Sequence, residues 1–222
     1  RNQPAIYASG TGYAPLVFKY TIQAGDTDSN GISIRADALA LDNGTIMDLA
    51  ENNAILTHSV VDNNSSYKVD TTAPSVDNFT LSDTALKIGD NATVTLEFSE
   101  AVCTVSNDCS GIVFSNADIT ADNGSLNTMS NISNNTWEGT FTPRTNTEED
   151  NNTLSLATSY TDLAGNAGTA ETTANYTIDT LLPTISSVTA GWGTYLNATE
   201  DDSVGTVTVV TSGAENGLPV YV

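Results

Sequence analysis

Basic residues are scarce in this chain. Its 222 residues include 6 Lys and Arg side chains against 27 Asp and Glu, which gives a formal net charge of −21 at pH 7. Proteins that bind nucleic acid neutralise phosphates with Lys and Arg, so the composition excludes that class, and it also argues against docking on anionic lipid. Either the fold tolerates the repulsion between so many carboxylates, or bound cations offset their charge.

Long apolar runs are also missing, since none approaches the roughly 20 residues that a transmembrane helix needs. Hydrophobic residues nevertheless make up 39% of the chain, and β-branched and aromatic residues are frequent, which favours a packed core over a disordered acidic tail. The chain starts at Arg1 without a Met or a signal-peptide pattern, so we expect a fragment or a processed product.

Only two cysteines are present, Cys103 and Cys109. Two cysteines cannot build a structural zinc site. A local disulfide that closes a short loop is the favoured interpretation, and it would imply an oxidising compartment. Two reduced thiols in a loop are the alternative.

Signatures of catalysis are lacking as well. The single histidine, His58, has no cysteine or serine partner motif and is predicted to be a surface strand residue, and no nucleophile elbow, phosphate loop or zinc-binding helix motif occurs. Acidic groups at 148–150 and 200–202 lie among Asn, Thr and Ser, whereas a glycosidase acid needs an apolar pocket. The sequence therefore predicts a protein that is not an enzyme, with only generic support for an enzyme accessory domain.

Short segments that alternate polar and apolar residues run through most of the chain, which is typical of half-buried strands. Clusters of Gly, Asn and Asp separate them and predict turns. Many short strands at this spacing predict an all-β sandwich or barrel. The clearest strand segments are 16–22, 93–98, 154–156 and 206–209, the clearest turns are 42–44 and 122–124, and the only helix-like candidates are 35–41 and 46–51.

Two features of the sequence repeat. Residues 67–76 resemble residues 176–185, with Asp70 and Asp179 lying 109 residues apart, and residues 47–52 resemble 161–166. A unit of about 110 residues therefore recurs, with predicted domains at 1–72 (the last part of one unit), 73–182 (a complete unit) and 183–222 (the first part of a third). Either the chain is cut from a longer array, or its two partial units complete each other between identical chains by strand complementation.

The repeated segments resemble a known family. Residues 69–74, 97–102 and 160–167 are similar to the bacterial Ig-like repeats of giant, type I-secreted (RTX-type) surface adhesins, and residues 18–32 and 189–217 are similar to neighbouring repeat types of the same proteins. The resemblance implies tandem Ig-like β-sandwich domains in an extended array. It also implies an extracellular location on a cell surface and calcium at the domain junctions.

The geometry of a β-sandwich predicts which residues would bind that calcium. In an Ig-like unit over 73–182, the linker at Asp70, the end of the strand at Glu100 and the loop from Asp162 to Asn166 all reach the entry pole. Converging carboxylates are costly unless a cation lies among them, and calcium takes six to eight oxygen ligands. Asp48, with Asn52, and Asp179 are the predicted counterparts at other junctions. A solvated acidic loop cluster is the alternative interpretation.

A second calcium loop is predicted at 26–37. Asp26, Asp28, Asn30 and Gly31 match the start of a D-x-D-x-N-G calcium loop, and Asp37 lies eleven positions after Asp26. The final acid is Asp where such loops carry Glu. The same pattern also occurs in ordinary hairpin turns.

The leading hypothesis is a non-catalytic extender module of an adhesin or surface filament, rigidified by calcium and joined to neighbouring Ig-like repeats of the same or an identical chain. The alternative is a carbohydrate-binding module that contacts glycans directly through Trp192, which Gly191 and Gly193 flank. Trp137 is expected in the sandwich core. In either case we expect no binding to nucleic acid and no insertion into a membrane. A glycan or another surface ligand is the candidate partner at the distal end of the array.

Overall fold

The computed structural model describes residues 3–10, 12, 15–106, 109, 111–133, 135–192 and 205–214. These residues form short β-strands and a single 3₁₀ turn at Asn116–Asp118, which confirms the all-β prediction. The first strands are β1 (Ile6–Ser9), β2 (Val17–Lys19), β3 (Ile32–Ile34), β4 (Val61–Asn64), β5 (Val76–Leu81), β6 (Ala85–Lys87), β7 (Ala92–Phe98) and β8 (Ile119–Ala121). They are followed by β9 (Gly124–Leu126), β10 (Ser130–Ser133), β11 (Thr136–Pro143), β12 (Glu148–Asn152), β13 (Leu154–Leu156), β14 (Glu171–Thr172), β15 (Tyr176–Asp179), β16 (Thr184–Ala190) and β17 (Val207–Ser212).

The chain divides into two compact units, each built from three separate segments. Unit 1 comprises Arg1–Val76, Phe98–Asp118 and Ala157–Ala170, and unit 2 comprises Asp77–Glu97, Ile119–Leu156 and Glu171–Val222. Each unit therefore collects residues that are distant in the sequence.

Unit 2 contains the larger sheets. One sheet has the order β10-β11-β7-β5, with β9 also paired to β11, and two others have the orders β12-β15-β6 and β14-β13-β8. Alternation along β7 explains its position, since Ala92, Val94 and Leu96 are fully buried and the residues between them are more exposed. The rings of Phe141 on β11 and Tyr176 on β15 meet at 5.1 Å, so side chains of two sheets pack face to face as in a β-sandwich.

An aromatic cluster forms the core of unit 1. Phe98 lies 5.3 Å from Phe114 and 5.0 Å from Tyr160 between ring centroids, and all three rings are buried. The Tyr160 hydroxyl donates to the carbonyl of Thr169 at 3.0 Å. A Cβ at Gly168 would come within 2.2 Å of the Tyr160 ring, so this position requires glycine. The cluster fixes the segment that leads into Asp162.

The described part of residues 1–72 contains two antiparallel two-stranded sheets, β1 with β2 and β3 with β4, whose strand residues are all exposed. The helix predictions at 35–41 and 46–51 were wrong, because Asp side chains capture backbone N–H groups there and Asp37 and Glu51 have positive φ values of 56° and 65°. No helix in the described residues is long and apolar enough to cross a membrane.

His58 does not lie in a strand, which corrects that prediction. Its backbone N–H donates to the Asp37 carboxylate at 2.9 Å, and its Nε2 accepts from the N–H of Ala38 at 3.0 Å. Nδ1 faces the carbonyl of Ser59 at 2.8 Å, which fits a neutral imidazole with its proton on Nδ1. His58 therefore holds a loop together.

Candidate metal centre

A tight turn holds the Asp162 side chain. Its Oδ1 accepts from the N–H groups of Gly165 at 2.7 Å and Asn166 at 2.8 Å, and its Oδ2 accepts from Asn166 Nδ2 at 2.7 Å. Gly165 has a φ of 96°, a conformation that favours glycine. Asp162 is 1% exposed, so the turn fixes a buried anion in one orientation.

Two further segments are fastened to this turn. Val102 pairs with Asp162 in an antiparallel bridge, which places Glu100 two residues before the contact. Asn166 Nδ2 also donates to the backbone carbonyl of Asp70 at 3.1 Å, which fixes the linker. Sequence reasoning missed both the bridge and this backbone contact, although the amide of Asn166 in the Leu-Ala-Gly-Asn motif was a signal for the second.

The turn, the strand end and the linker bring three carboxylates together. Oxygens of Asp70, Glu100 and Asp162 all lie within 4.8 Å of one another, and among the described residues no other group of three His, Cys, Asp or Glu side chains meets this condition. Among the described residues, the single ion pair joins Lys87 to Asp90 at 3.3 Å. None of the three acids forms an ion pair with a described Lys or Arg, although Lys68 lines the same cleft as Asp70.

The electrostatics of Glu100 reflect this arrangement. Burial raises the pKa of the Glu100 carboxyl, and the neighbouring charges of Asp70 and Asp162 raise that pKa further. Three hard oxygen donors from separate segments are a ligand set that suits Ca²⁺, which binds carboxylate and carbonyl oxygens. The residues present therefore fit a calcium ion.

The two cysteines lie close in sequence and structure to the carboxylate cluster. Cys103 and Cys109 are joined by a disulfide, with their Cα atoms 5.7 Å apart. The N–H of Cys103 donates to the carbonyl of Thr161 at 2.8 Å, directly next to the bridge at Asp162. The disulfide thus closes a short loop at the base of the carboxylate cluster.

Removing this disulfide should destabilise the protein. Loop-closure entropy for so short a loop predicts a loss of about 2 kcal/mol in the free energy of unfolding. The measurement is urea unfolding of the paired Cys103→Ser and Cys109→Ser variant against the oxidised wild type. Ser106→Ala, an exposed position inside the same loop, is the control and should stay within about 0.5 kcal/mol of the wild type. An unchanged free energy of unfolding in the paired variant would contradict the expectation.

The turn at Asp48 repeats the turn at Asp162. Asp48 Oδ1 accepts from the N–H groups of Ala50 at 2.9 Å and Asn52 at 2.8 Å, and its Oδ2 accepts from Asn52 Nδ2 at 2.8 Å. Hydrogen bonds from Asn52 lower the pKa of the Asp48 carboxyl. The described residues bring no two further carboxylates to Asp48, so the repeat extends to the turn and not to the cluster.

Asp179 repeats the linker at Asp70. Each carboxylate accepts from the N–H two residues later, Thr72 at 3.0 Å and Leu181 at 3.1 Å. The residue that would supply the next acid differs between the two repeats. Glu100 follows Ser99 just after the end of β7, whereas Gly213 follows Ser212 at the end of β17. Among the described residues, Asp179 therefore has no counterpart of Glu100.

The predicted loop at 26–37 uses its acids separately. Asp26 accepts from Gln3 Nε2 at 2.7 Å and from the Tyr20 hydroxyl, Asp28 accepts from the N–H of Gly31 at 2.8 Å, and Asp37 accepts from the N–H of His58. These three acids form no shared ligand group. Asp28 and Asn30 do line one open cleft with Asp70.

The predicted glycan contact, Trp192, is 43% exposed just after the end of β16. A Cβ at Gly205 would lie 2.9 Å from its ring, so the indole packs closely on that glycine. Trp137 lies on β11, as expected for a strand of the sandwich, and is partly buried.

Comparison with protein-family models gives a match. Residues 70–178 match the family model described as bacterial Ig-like domain. Searches of the curated proteins and of the solved structures each found no match. The matched range begins at the linker Asp70 and includes Glu100 and Asp162. The match, together with the all-β fold, supports the prediction of a bacterial Ig-like repeat over residues 70–178, called the Ig-like domain below.

Proposed function

We propose that this protein is a non-catalytic extender module of an extracellular adhesin or surface filament, and that calcium bound by Asp70, Glu100 and Asp162 stiffens the entry to its Ig-like domain. The similarity to bacterial Ig-like domains supports a structural role. The carboxylate cluster supports calcium, and the net charge of −21 suits a protein that works with bound cations.

One observation carries the proposal: three carboxylates from separate segments lie within 4.8 Å of one another. Asp70 belongs to the linker that enters the domain, whereas Glu100 and Asp162 belong to the body of the domain. A shared calcium ion would therefore tie the linker to that body. It would do so by replacing mutual repulsion with three attractive contacts.

The residues around the ion would have distinct tasks. The turn at 162–166 orients Asp162 before any ion arrives, which lowers the entropic cost of binding. Asn166 holds the linker carbonyl of Asp70 in place. Calcium would supply the positive charge that lets Asp70 and Glu100 remain ionised side by side.

Calcium titration calorimetry tests the proposal with a matched pair of variants. Asp70→Asn keeps the acceptor for Thr72 but removes one charge from the cluster, and we expect calcium affinity to fall at least about tenfold, or about 1.4 kcal/mol. Asp179→Asn makes the same change in the repeated linker, where the described residues form no acid cluster, and should bind calcium like the wild type.

Two results would count against a calcium site at the cluster. The first is no heat of calcium binding in the wild type. The second is an equal loss of affinity in the Asp70→Asn and Asp179→Asn variants, because general charge reduction would then explain the change.

The pH dependence of stability gives an independent check in chelator. Because the folded pKa of Glu100 is raised, the folded chain binds more protons than the unfolded chain between the unfolded value, about 4.3, and the folded value. Stability from this group therefore falls as pH rises through that window. We expect urea unfolding to show a steeper fall for the wild type than for Glu100→Gln. Parallel profiles would contradict the assignment.

A further inference from the structure

The Cys103–Cys109 disulfide lies on the same stretch of chain as Glu100. Cys103 comes three residues after Glu100 and directly after Val102, whose antiparallel bridge to Asp162 joins two segments of the carboxylate cluster. Residues 103–109 are called the disulfide loop below. The loop is therefore attached within three residues to one proposed calcium ligand and through one bridge to another.

Thr161, the residue directly before Asp162, is held by the chain on both sides of the disulfide loop. At one end of the loop, the N–H of Cys103 donates to the carbonyl of Thr161 at 2.8 Å. Beyond the other end, the carbonyl of Ile112 accepts from the Thr161 N–H at 3.1 Å, and the N–H of Ile112 donates to Thr161 Oγ1 at 2.9 Å. Thr161 Oγ1 in turn donates to the carbonyl of Asp162 at 3.0 Å. Thr161 thus connects the loop to the turn that orients the Asp162 carboxylate.

Close packing leaves these contacts little room to adjust. Thr161 is 5% exposed, and Cys103 is fully buried. The N–H of Phe114 donates to the carbonyl of Cys103 at 2.9 Å, so the segments before and after the loop are also joined to each other. A Cβ on Gly111 would overlap Thr161 Oγ1. Because a packed interior transmits strain, a change in the loop reaches the turn at Asp162.

The disulfide is open to attack from one side. Cys109 is partly exposed, whereas Cys103 is buried. A thiolate of a dithiol reductant can bond to Cys109 Sγ and break the S–S bond, which releases Cys103 Sγ as a thiolate. The second thiol of the reductant then displaces Cys109 Sγ and closes a disulfide within the reductant. Two electrons have then passed to the protein, and each of its two cysteine sulfurs takes up a proton.

We infer that the Cys103–Cys109 pair is a redox switch for the carboxylate cluster, and that the disulfide form binds calcium more tightly than the dithiol form. In the disulfide form the loop holds Thr161 from both sides, so Asp162 is oriented before an ion arrives. In the dithiol form the loop is free to open, and ordering it adds to the cost of binding. We expect calcium affinity to fall about tenfold on reduction, which is within the range usual for coupling between two sites. The inference rests on the proposed calcium site and adds its regulation.

Calcium and the disulfide must then stabilise each other. Because coupling between two equilibria is reciprocal, calcium that saturates both forms should lower the equilibrium constant for reduction by the same factor of about ten. Calcium would therefore protect the disulfide, and a dithiol reductant would weaken the tie between the linker at Asp70 and the body of the domain.

Two titrations measure the two sides of this coupling in the wild-type chain. Calcium calorimetry compares the oxidised chain with the chain reduced by a dithiol, and circular dichroism verifies that the reduced chain is folded. Thiol trapping with mass analysis then gives the equilibrium constant for reduction in dithiol buffers, in chelator and in saturating calcium. Potassium chloride at the same ionic strength replaces calcium in the control and should leave that constant unchanged.

A matched pair of buried threonines tests the path through Thr161. Thr161→Val removes the hydroxyl that joins Ile112 to Asp162 while the disulfide stays closed, and calcium affinity should fall about fivefold. Thr173 is equally buried, at 5% exposed, and its Oγ1 accepts from the N–H of Leu154 at 3.0 Å. It belongs to unit 2, whereas the cluster belongs to unit 1. Thr173→Val should therefore lose similar stability but bind calcium like the wild type.

Calcium affinity that is about tenfold weaker in the folded, reduced chain, with an equal calcium effect on reduction, supports the inference. Equal calcium affinity in the oxidised and reduced chains overturns it and leaves the proposed calcium site standing. It is also overturned by a reduced chain that is unfolded in saturating calcium, or by Thr161→Val and Thr173→Val variants that change calcium affinity equally. No calcium binding in the oxidised chain overturns both the inference and the proposed site.

Discussion

The effect of Glu100→Gln on the free energy of unfolding, relative to the wild type, should change sign when calcium is added. In chelator, the variant is expected to be at least as stable as the wild type, because the amide removes a charge that Asp70 and Asp162 repel. At calcium about one hundred times the dissociation constant, the wild type should gain about 2.7 kcal/mol. The variant should gain much less, since it binds the ion less tightly.

Denaturant unfolding in chelator and in calcium measures both arms of this expectation. Glu97→Gln is the matched control, because Glu97 lies on β7, three residues earlier, and outside the carboxylate cluster. It should respond to calcium as the wild type does. A Glu100→Gln variant that gains the full stabilisation would contradict the assignment of Glu100 as a ligand.

Tyr160→Ala should cause the largest loss of stability. The ring is fully buried between Phe98 and Phe114, so truncation leaves a cavity and costs about 3–5 kcal/mol. Because Tyr160 leads directly into Asp162, calcium binding should weaken as well. Thermal unfolding and calcium titration of the same variant measure the two effects.

Two variants separate packing from other causes. Tyr160→Phe keeps the ring and loses only the hydrogen bond to Thr169, which is worth about 1 kcal/mol. Tyr67→Ala removes a ring that is 63% exposed and should change stability by less than about 0.5 kcal/mol. A small loss in Tyr160→Ala would mean that the aromatic cluster contributes little to stability.

Local patterns in the sequence predicted four of the strands, at 16–22, 93–98, 154–156 and 206–209. The alternation at 93–98 and 154–156 coincides with β7 and β13, and the predicted Asn-Gly turn has the positive φ that such turns favour, 49° at Asn123. These features depend on neighbouring residues alone. The helix predictions failed because side-chain hydrogen bonds of Asp37 and Asp48 to the backbone outweigh an apolar spacing.

The carboxylate cluster required more than local pattern. The internal repeat and sandwich geometry predicted that Asp70, Glu100 and Asp162 approach one another, and the structure brings them together. The same argument predicts a counterpart at Asp179, and that call stays a prediction: the described residues form no acid cluster there, and Gly213 stands at the position that corresponds to Glu100. The Val102 bridge depends on contacts between distant segments, which a single sequence does not reveal.

Calcium at the cluster is the central claim, and a crystal structure of the protein grown in calcium chloride tests it most directly. The proposal predicts an anomalous difference peak about 2.3–2.6 Å from carboxylate oxygens of Asp70, Glu100 and Asp162. Well-ordered carboxylates at this site with no calcium peak between them would contradict it.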